Sequence, residues 1–273
     1  PVRIIMTPSD AEFLHNATNL MSDELLPCTV IVDEKNVFYN AGVRMKGSER
    51  NRVGFTVKFS AGSKLWGVHN GFTIDRSGGQ SGLGGKHDEI LIWRVINKAG
   101  GLPDVYDDLC QVFSPRGSED GSGYLRLAKY GDVFLDSTFK NGGDGEMYKL
   151  ELIYYPTNTV DGNPESLKVP LPDLVLGTDI GDLGDDKENY RWTFLKENHL
   201  MRDNYDPMIG LGKAFSLSGT NLEYQIRQVM DVDEWARAVA LLSLIGSDDM
   251  YTYGNSHNLV IYFRPEDNRG MAF

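Results

Sequence analysis

Cysteine is scarce in this chain: the 273 residues include two, Cys28 and Cys110. Neither belongs to a Cys-x-x-Cys motif or a metal-binding spacing, and each lies in an apolar, strand-like run. This pattern predicts two buried thiols rather than a disulfide or a zinc site. The cysteines leave the cellular compartment open.

Long apolar runs are missing as well. No stretch approaches the roughly 18 consecutive apolar residues that a membrane-spanning helix needs. The N-terminal segment also lacks the basic start, apolar centre and small-residue end of a secretion signal. Because the chain starts at Pro1 and ends in the strand-like "GMAF", we expect it to be a piece of a longer protein. We expect no membrane span within the given residues.

Basic side chains are outnumbered. Lys and Arg total 27 against 39 Asp and Glu, which gives a formal net charge of −12. A field of this sign disfavours nucleic acid and anionic membranes as partners unless basic residues are locally concentrated. The one such concentration is "RMKGSERNR".

What is present is ordinary for a packed globular protein, since 41% of the residues are hydrophobic. "TPSDAEFLHNATNLM" places a Thr before a Pro at the start of a helix. Residues 27–75 contain β-branched and aromatic runs separated by turns, which predicts an antiparallel meander. "DVDEWARAVALLSLIG" predicts a later helix, in which Asp231 and Glu234 have the spacing of a capping box.

Residues 154–190 are rich in Pro, Gly and Asp and have no sustained periodicity, which is typical of a long insertion or hinge. They divide the chain into a β-rich N-terminal lobe, residues 1–153, and a helical C-terminal lobe, residues 191–273. Within the insertion, "DIGDLGDD" could bind calcium through Asp179, Asp182 and Asp185 or be a solvated loop.

Two segments could handle phosphate. One is a glycine cluster that fits neither a dinucleotide-binding nor a P-loop pattern and is equally consistent with a flexible loop; it comprises Gly78, Gly79, Gly82, Gly84 and Gly85. The other places Arg44, Lys46 and Lys58 at alternating positions of two predicted strands. Cations on one face of a sheet could hold a polyphosphate, or they could be ordinary outward-facing charges.

The segment "LIGSDDMYTYGNSHNLVIYF" joins a predicted helix to a predicted strand and concentrates polar groups. Asp248 or Asp249 could accept a proton from an attacking hydroxyl, and Asn255 or Asn258 could hold Mg²⁺ against phosphates. The alternative is a polar connection stabilised by Asx turns.

Several segments, in this order, resemble the spore-coat CotH kinase family, an atypical, secreted or surface-associated, protein-kinase-like group of bacterial proteins. They are "AGVRMKGSE", "FTVKF", "GVHNGFTIDRS", "HDEILIWRVINKAGGLP", "GYLRLAKYGDVFLDSTFKNGGDGEMYKLE" and "LIGSDDMYTYGNSHNLVIYFRPEDNRGMAF". The resemblance excludes about residues 155–225. It implies an α+β, kinase-like fold with a β-rich N-terminal lobe and a helical C-terminal lobe.

The resemblance also implies roles for individual residues. Asp249, beside Asp248, matches the catalytic base, and Asn255 or Asn258 matches a metal-coordinating amide. The expected ATP-binding residues are Lys58, Arg44, Lys46 and, as an orienting acid, Glu89. A Trp-Asp-x-Asp element of the family, whose aspartate would hold Mg²⁺, is expected directly after "MAF".

The sequence therefore predicts a Mg·ATP-dependent kinase that transfers the γ-phosphoryl group to a Ser/Thr hydroxyl of a secreted or surface protein. The expected location is extracellular or at the cell surface. The alternative is a non-catalytic surface-binding module on the same scaffold, which the acidic charge and the "RVGFTV" run before Lys58 favour.

Overall fold

The computed structural model describes residues 1–16, 19, 24–46, 54–75, 86–99, 102–150, 153–154, 161, 175–176, 178–247, 250–253 and 256–273. The chain divides into two compact units. We call residues 1–94, 105–129 and 155–173 the barrel unit, and residues 95–104, 130–154 and 174–273 the sheet unit. Each unit has a buried core of its own.

Seven strands form the barrel unit's closed sheet. They are β1 (Val2–Ile5), β2 (Leu26–Val32), β3 (Asn36–Lys46), β4 (Gly54–Lys58), β5 (Gly71–Asp75), β6 (Asp108–Phe113) and β7 (Gly121–Leu127). Their order is β1-β2-β3-β4-β5-β7-β6, and a parallel pairing of β6 with β1 closes the barrel. All other pairings in this barrel are antiparallel.

Alternation along the strands separates two faces of the barrel wall. Val43 and Met45 on β3, and Phe55 and Val57 on β4, belong to one buried cluster. The residues between them point to the opposite face, so the predicted meander is confirmed and its cations lie away from this core. Both cysteines are buried and neither forms a disulfide, as predicted, and burial raises the pKa of Cys28 to about 12.

Helix α1 (Pro8–Leu14) begins where the sequence predicts. The side chain of Thr7 accepts a hydrogen bond from the backbone N–H of Asp10 at 3.1 Å, and Pro8 occupies the first turn, where its missing N–H costs nothing. Helix α2 (Lys86–Ala99) follows the barrel strand β5, and the division between the two units falls within it.

The sheet unit contains four antiparallel strands in the order β11-β8-β12-β13. Its helices and strands are α3 (Asp132–Thr138), β8 (Glu146–Leu150), β9 (Ile153–Tyr154), β10 (Val175–Leu176), α4 (Glu188–Arg191), β11 (Phe194–Lys196), α5 (Asp206–Phe215), α6 (Gly219–Val229), α7 (Val232–Leu244), β12 (Leu259–Phe263) and β13 (Gly270–Ala272). Strands β9 and β10 pair separately with each other.

Both faces of the four-stranded sheet are covered. Every residue of β12 is buried, and alternate residues belong to different clusters. Ile261 packs in a cluster that includes Leu211 of α5 and Trp235 of α7. Tyr262 packs in another cluster, which includes Leu135 of α3. The continuous apolar run "LVIYF" is thus a central strand packed on both faces, with α5 and α7 on one side and α3 on the other.

The predicted kinase-like arrangement of a β-rich lobe and a helical lobe is wrong, although the protein is α+β. The first unit is a closed, mixed seven-stranded barrel, and the second is built on a sheet of its own. The boundaries at residues 154 and 191 stay a prediction, since much of 154–190 lies outside the described residues. Within the part of the chain that is described, we find no helix long and apolar enough to cross a bilayer.

Candidate functional site

The three predicted cations of β3 and β4 lie on one face of the barrel wall. Arg44 is directly opposite Thr56, and Lys46 is opposite Gly54. Lys58 is opposite Gly42 on the same pair of strands. Residues paired in this way point to the same side of an antiparallel sheet, so all three cations face away from the barrel core.

Lys46 is engaged by acids of its own unit. Its ammonium group donates to the carboxylate of Asp75 on β5. The carboxyl group of Asp107 interacts electrostatically with the same pair. Burial raises the pKa of Asp107, and the charge of Lys46 lowers it. A phosphate could reach Lys46 only by competing with Asp75, so this lysine is a poor candidate for a primary anion contact.

Lys58 lies in a different environment, at the rim of a cleft of about 350 Å³ in the barrel unit. It ends β4, and the loop 59–70 then returns the chain to β5. Lys129 reaches the same cleft because it follows β7, which pairs with β5. We define the lysine cleft by its polar lining residues, Lys58, Ser60, Ser63, Lys64, Asn70 and Lys129.

Backbone geometry shapes the floor of the lysine cleft. Gly62 has φ +82°, a conformation that side chains rarely allow, and it turns the loop between the two serines. Gly71 lies where a Cβ atom would be 2.2 Å from the carbonyl oxygen of Val57. These two glycines let the loop fold back closely on β4, and this brings Lys64 to the side of Lys58.

The described lining of the lysine cleft supplies hydrogen-bond donors and positive charge. The hydroxyl groups of Ser60 and Ser63 lie 3.1 Å apart. Lys58, Lys64 and Lys129 are all exposed, and none of the described lining residues is acidic. Among the described residues, no carboxylate lies within 4.0 Å of the ammonium groups of Lys58 and Lys64. Ammonium groups and hydroxyls of this kind bind phosphate oxygens.

The predicted catalytic residues cannot be placed. Asp248, Asp249 and Asn255 lie outside the described residues, as does the glycine cluster at 78–85. Glu89 belongs to α2, but its side chain also lies outside the described part. Asn258 is described: it is exposed, has φ +53° and immediately precedes β12.

Metal ligands are not gathered in the described part of the chain. Those residues contain no group of three or more His, Cys, Asp or Glu side chains that could hold a metal ion. The predicted calcium ligands have separate partners: Asp179 accepts from Tyr251, Asp182 accepts from Gly184 N–H at 2.9 Å, and Asp185 pairs with Lys213. This arrangement favours the interpretation of "DIGDLGDD" as a loop.

Two lysines of the cleft were not singled out from the sequence. Lys64 lies in a Ser-Gly-Ser-Lys turn, which by itself indicates only a loop. Lys129 is more than fifty positions further along the chain, and it joins the cleft only because β7 pairs with β5. A cluster of serine and lysine in a turn after a lysine-bearing strand was the one local signal.

Comparisons with known proteins do not identify a relative. No family model matches the chain, and no curated protein matches it significantly. The resemblance to CotH kinases therefore stays a prediction.

Proposed function

We propose that this protein binds ATP through the phosphates at the lysine cleft and transfers the γ-phosphoryl group to a Ser/Thr hydroxyl of another protein. The observation that supports it is the convergence of Lys58, Lys64 and Lys129 with two serine hydroxyls in one cleft whose described lining residues include no acid. Three cations can balance most of the charge of a triphosphate. The cleft volume of about 350 Å³ lies in the range of small-molecule sites.

The transfer step rests on the resemblance rather than on the described geometry. Asp249 would accept the proton of the attacking hydroxyl, and its neighbour Asp248 would add negative charge there. Phosphoryl transfer otherwise depends on positioning and on neutralising the phosphate oxygens, which the lysines of the cleft would do.

Magnesium does not fit the described residues by themselves. Mg²⁺ takes octahedral oxygen ligands, usually one or two carboxylates with phosphates and water. Of the predicted ligands only Asn258 is described, as an exposed residue, and the described residues contain no group of three or more His, Cys, Asp or Glu side chains that could hold a metal ion. We therefore derive no step through the metal.

A second candidate is a module that binds an anion without transferring phosphate. Two observations favour it: the protein lacks the two-lobe kinase arrangement, and Lys46, in the strand that resembles the kinase family, is paired with Asp75. Such a module would use the same lysine cleft to hold a phosphorylated or otherwise anionic surface ligand.

Binding is tested first, by calorimetric titration of the protein with ATP. Lys58→Gln and Lys64→Gln should each weaken binding roughly five- to tenfold, since each removes one charge-assisted contact to phosphate. Lys35→Gln is the matched control, because Lys35 is an exposed lysine of the barrel unit in the turn between β2 and β3. Equal affinities for all four proteins would refute the cleft as the ATP site.

Transfer is tested with γ-labelled ATP, Mg²⁺ and casein as a general acceptor. Labelling that the Asp249→Asn variant loses while keeping ATP affinity would support the kinase. ATP binding without any labelling, in wild type and variant alike, would reject transfer and leave the anion-binding module.

A further inference from the structure

A second cavity lies wholly in the sheet unit, where neither the kinase prediction nor the lysine cleft gives it a role. It has a volume of about 440 Å³. We call it the Glu234 cavity. Its polar lining residues are Asn97, Thr138, Asp231, Glu234, Arg237 and Arg264, and the ring of Phe139 supplies an apolar wall.

The side chain of Glu234 does not make the capping-box hydrogen bond that its sequence position predicts. Asp231 caps α7 by accepting the backbone N–H of Glu234 at 3.2 Å. In a complete capping box, Glu234 would accept the backbone N–H of Asp231 in return. That N–H instead donates to the carbonyl oxygen of Gly270 at 3.0 Å. The carboxyl group of Glu234 is thus released from the helix end and lines the cavity.

Glu234 is a buried residue, and one oxygen of its carboxyl group is held by the backbone. The residue is 2% exposed, and its Oε2 atom accepts the backbone N–H of Ala272 at 2.9 Å. Among the described residues, Oε1 has no hydrogen-bond partner. A carboxylate can accept about four hydrogen bonds, and Oε1 is not among the buried, unpartnered side-chain atoms of the described residues, so it remains accessible from the cavity. An oxygen in this state, lining a cavity, is suited to a ligand that donates a hydrogen bond.

The charges around Glu234 are balanced and held in place. The guanidinium group of Arg264 lies 2.9 Å from a carboxylate oxygen of Asp231, and it also pairs with Asp267. Arg237 lies one helical turn after Glu234 and donates to the carbonyl oxygen of Asp233. The cavity lining thus carries two acids and two arginines. Such a lining offers donors and acceptors without a strong net charge.

We propose that the Glu234 cavity binds a small neutral polyhydroxylated molecule, such as a monosaccharide, with a hydroxyl group of the ligand donating to Oε1 of Glu234. Balanced charges disfavour a strongly ionic ligand, whereas alternating donors and acceptors suit a ring of hydroxyl groups. Phe139 can cover the apolar face of a sugar ring, and Thr138 lies at the opening beside it. This site is independent of ATP binding, and either can fail without the other.

The protonation of Glu234 gives the binding a pH signature. Burial raises its pKa to about 7; Asp231 raises the pKa as well, while the bond from Ala272 and the charges of Arg237 and Arg264 lower it. The ionised carboxylate is the better acceptor for a hydroxyl. Sugar affinity should therefore rise severalfold from pH 6 to pH 8, and a Glu234→Gln variant should not show this rise.

The test is ligand-observed NMR of the whole chain with D-glucose, D-galactose and myo-inositol, with glycine and inorganic phosphate as charged probes. We expect at least one polyol to bind, and Glu234→Gln to weaken it at least fivefold at pH 8. Glu223→Gln is the matched control, since Glu223 is exposed on α6 of the same unit. Thr138→Val provides a second variant at the rim if Glu234→Gln does not fold.

Three outcomes would overturn the proposal. None of the three polyols binds; only glycine or phosphate binds; or a polyol binds with the same affinity and pH dependence in the wild type, Glu234→Gln and Thr138→Val. Loss of polyol binding in Thr138→Val with the melting temperature unchanged would support the site even without the glutamate variant.

Discussion

At the scale of single residues, the barrel unit buries a histidine–glutamate contact that fixes the end of α1. The Nδ1 atom of His15 lies 2.6 Å from the carbonyl oxygen of Ala11, and Nε2 lies 2.7 Å from a carboxylate oxygen of Glu119. The side chains of His15 and Glu119 are 3% and 8% exposed. Both ring nitrogens of His15 are thus held by oxygen partners away from solvent.

Removing one partner of this pair should cost more than removing both. Glu119→Leu leaves Nε2 of the buried His15 ring without its partner, and we expect the free energy of unfolding to fall by about 2 kcal/mol. The double variant His15→Phe with Glu119→Leu should regain part of that loss, because it leaves no buried polar group unpaired. Urea denaturation of the three proteins measures both quantities. A single variant as stable as wild type would contradict the buried pair.

Glu234 links stability to pH through the same principle of burial. Its pKa is raised from 4.5 to about 7 in the folded protein, so between these values the folded state binds a proton that the unfolded state releases. The stabilising contribution is present at pH 5 and is lost as the pH rises through 7. Relative to Glu234→Gln, the wild type should lose about 2.5 kcal/mol of unfolding free energy from pH 5 to pH 8. Parallel pH profiles of the two proteins would contradict the shift.

At the scale of elements, the starts of helices could be predicted from the sequence, whereas the closure of the barrel could not. The Thr-Pro start of α1 and the Asp231 start of α7 are set by neighbouring residues, and both were predicted. The parallel pairing of Val2 with Val112 closes the barrel across most of the first half of the chain. No local pattern specifies that pairing, so a β-rich lobe was predicted where a closed barrel formed.

The two candidate sites show the same limit. Lys58 could be selected because its strand carries alternating cations, but Lys129 joins it only through the order of β5 and β7. The spacing of Asp231 and Glu234 predicted a reciprocal cap, whereas tertiary contacts with Gly270 and Ala272 redirect both groups. Sequence patterns indicate which side chains are candidates, whereas the tertiary structure determines which of them lie in the same site.

Helix α7 should depend strongly on Asp231. One carboxylate oxygen caps the helix through Glu234 N–H, and the other lies 2.9 Å from Arg264. We expect Asp231→Ala to lower the unfolding free energy by about 2 kcal/mol, since it removes both contacts. Asp231→Asn keeps the cap and should lose less. Asp233→Ala, at an exposed first-turn position, is the control. If thermal melting gave the same loss for all three variants, the capping role would be rejected.

At the scale of the whole molecule, the positive charge of the lysine cleft is opposite in sign to the protein's net charge. The net charge of −12 repels a polyanion at long range, while Lys58, Lys64 and Lys129 attract it at contact distance. Salt screens the long-range repulsion within about 10 Å at 0.1 M ionic strength, and it also competes directly with the lysine–phosphate contacts. The salt dependence of ATP affinity therefore distinguishes binding in the lysine cleft from weak binding elsewhere.

If ATP binds in the lysine cleft, the loss of lysine–phosphate contacts should outweigh the screening of the long-range repulsion. Raising the salt from roughly 50 mM to roughly 500 mM should then weaken ATP binding, because each lysine–phosphate contact is exchanged for dissolved ions. The double variant Lys58→Gln with Lys64→Gln should show a shallower dependence of log affinity on log salt, whereas Lys35→Gln should keep the wild-type slope. Calorimetric titrations at four salt concentrations measure the three slopes. If the double variant kept the wild-type slope, the phosphates would have to bind outside the lysine cleft, and the barrel would lose its proposed role in nucleotide binding.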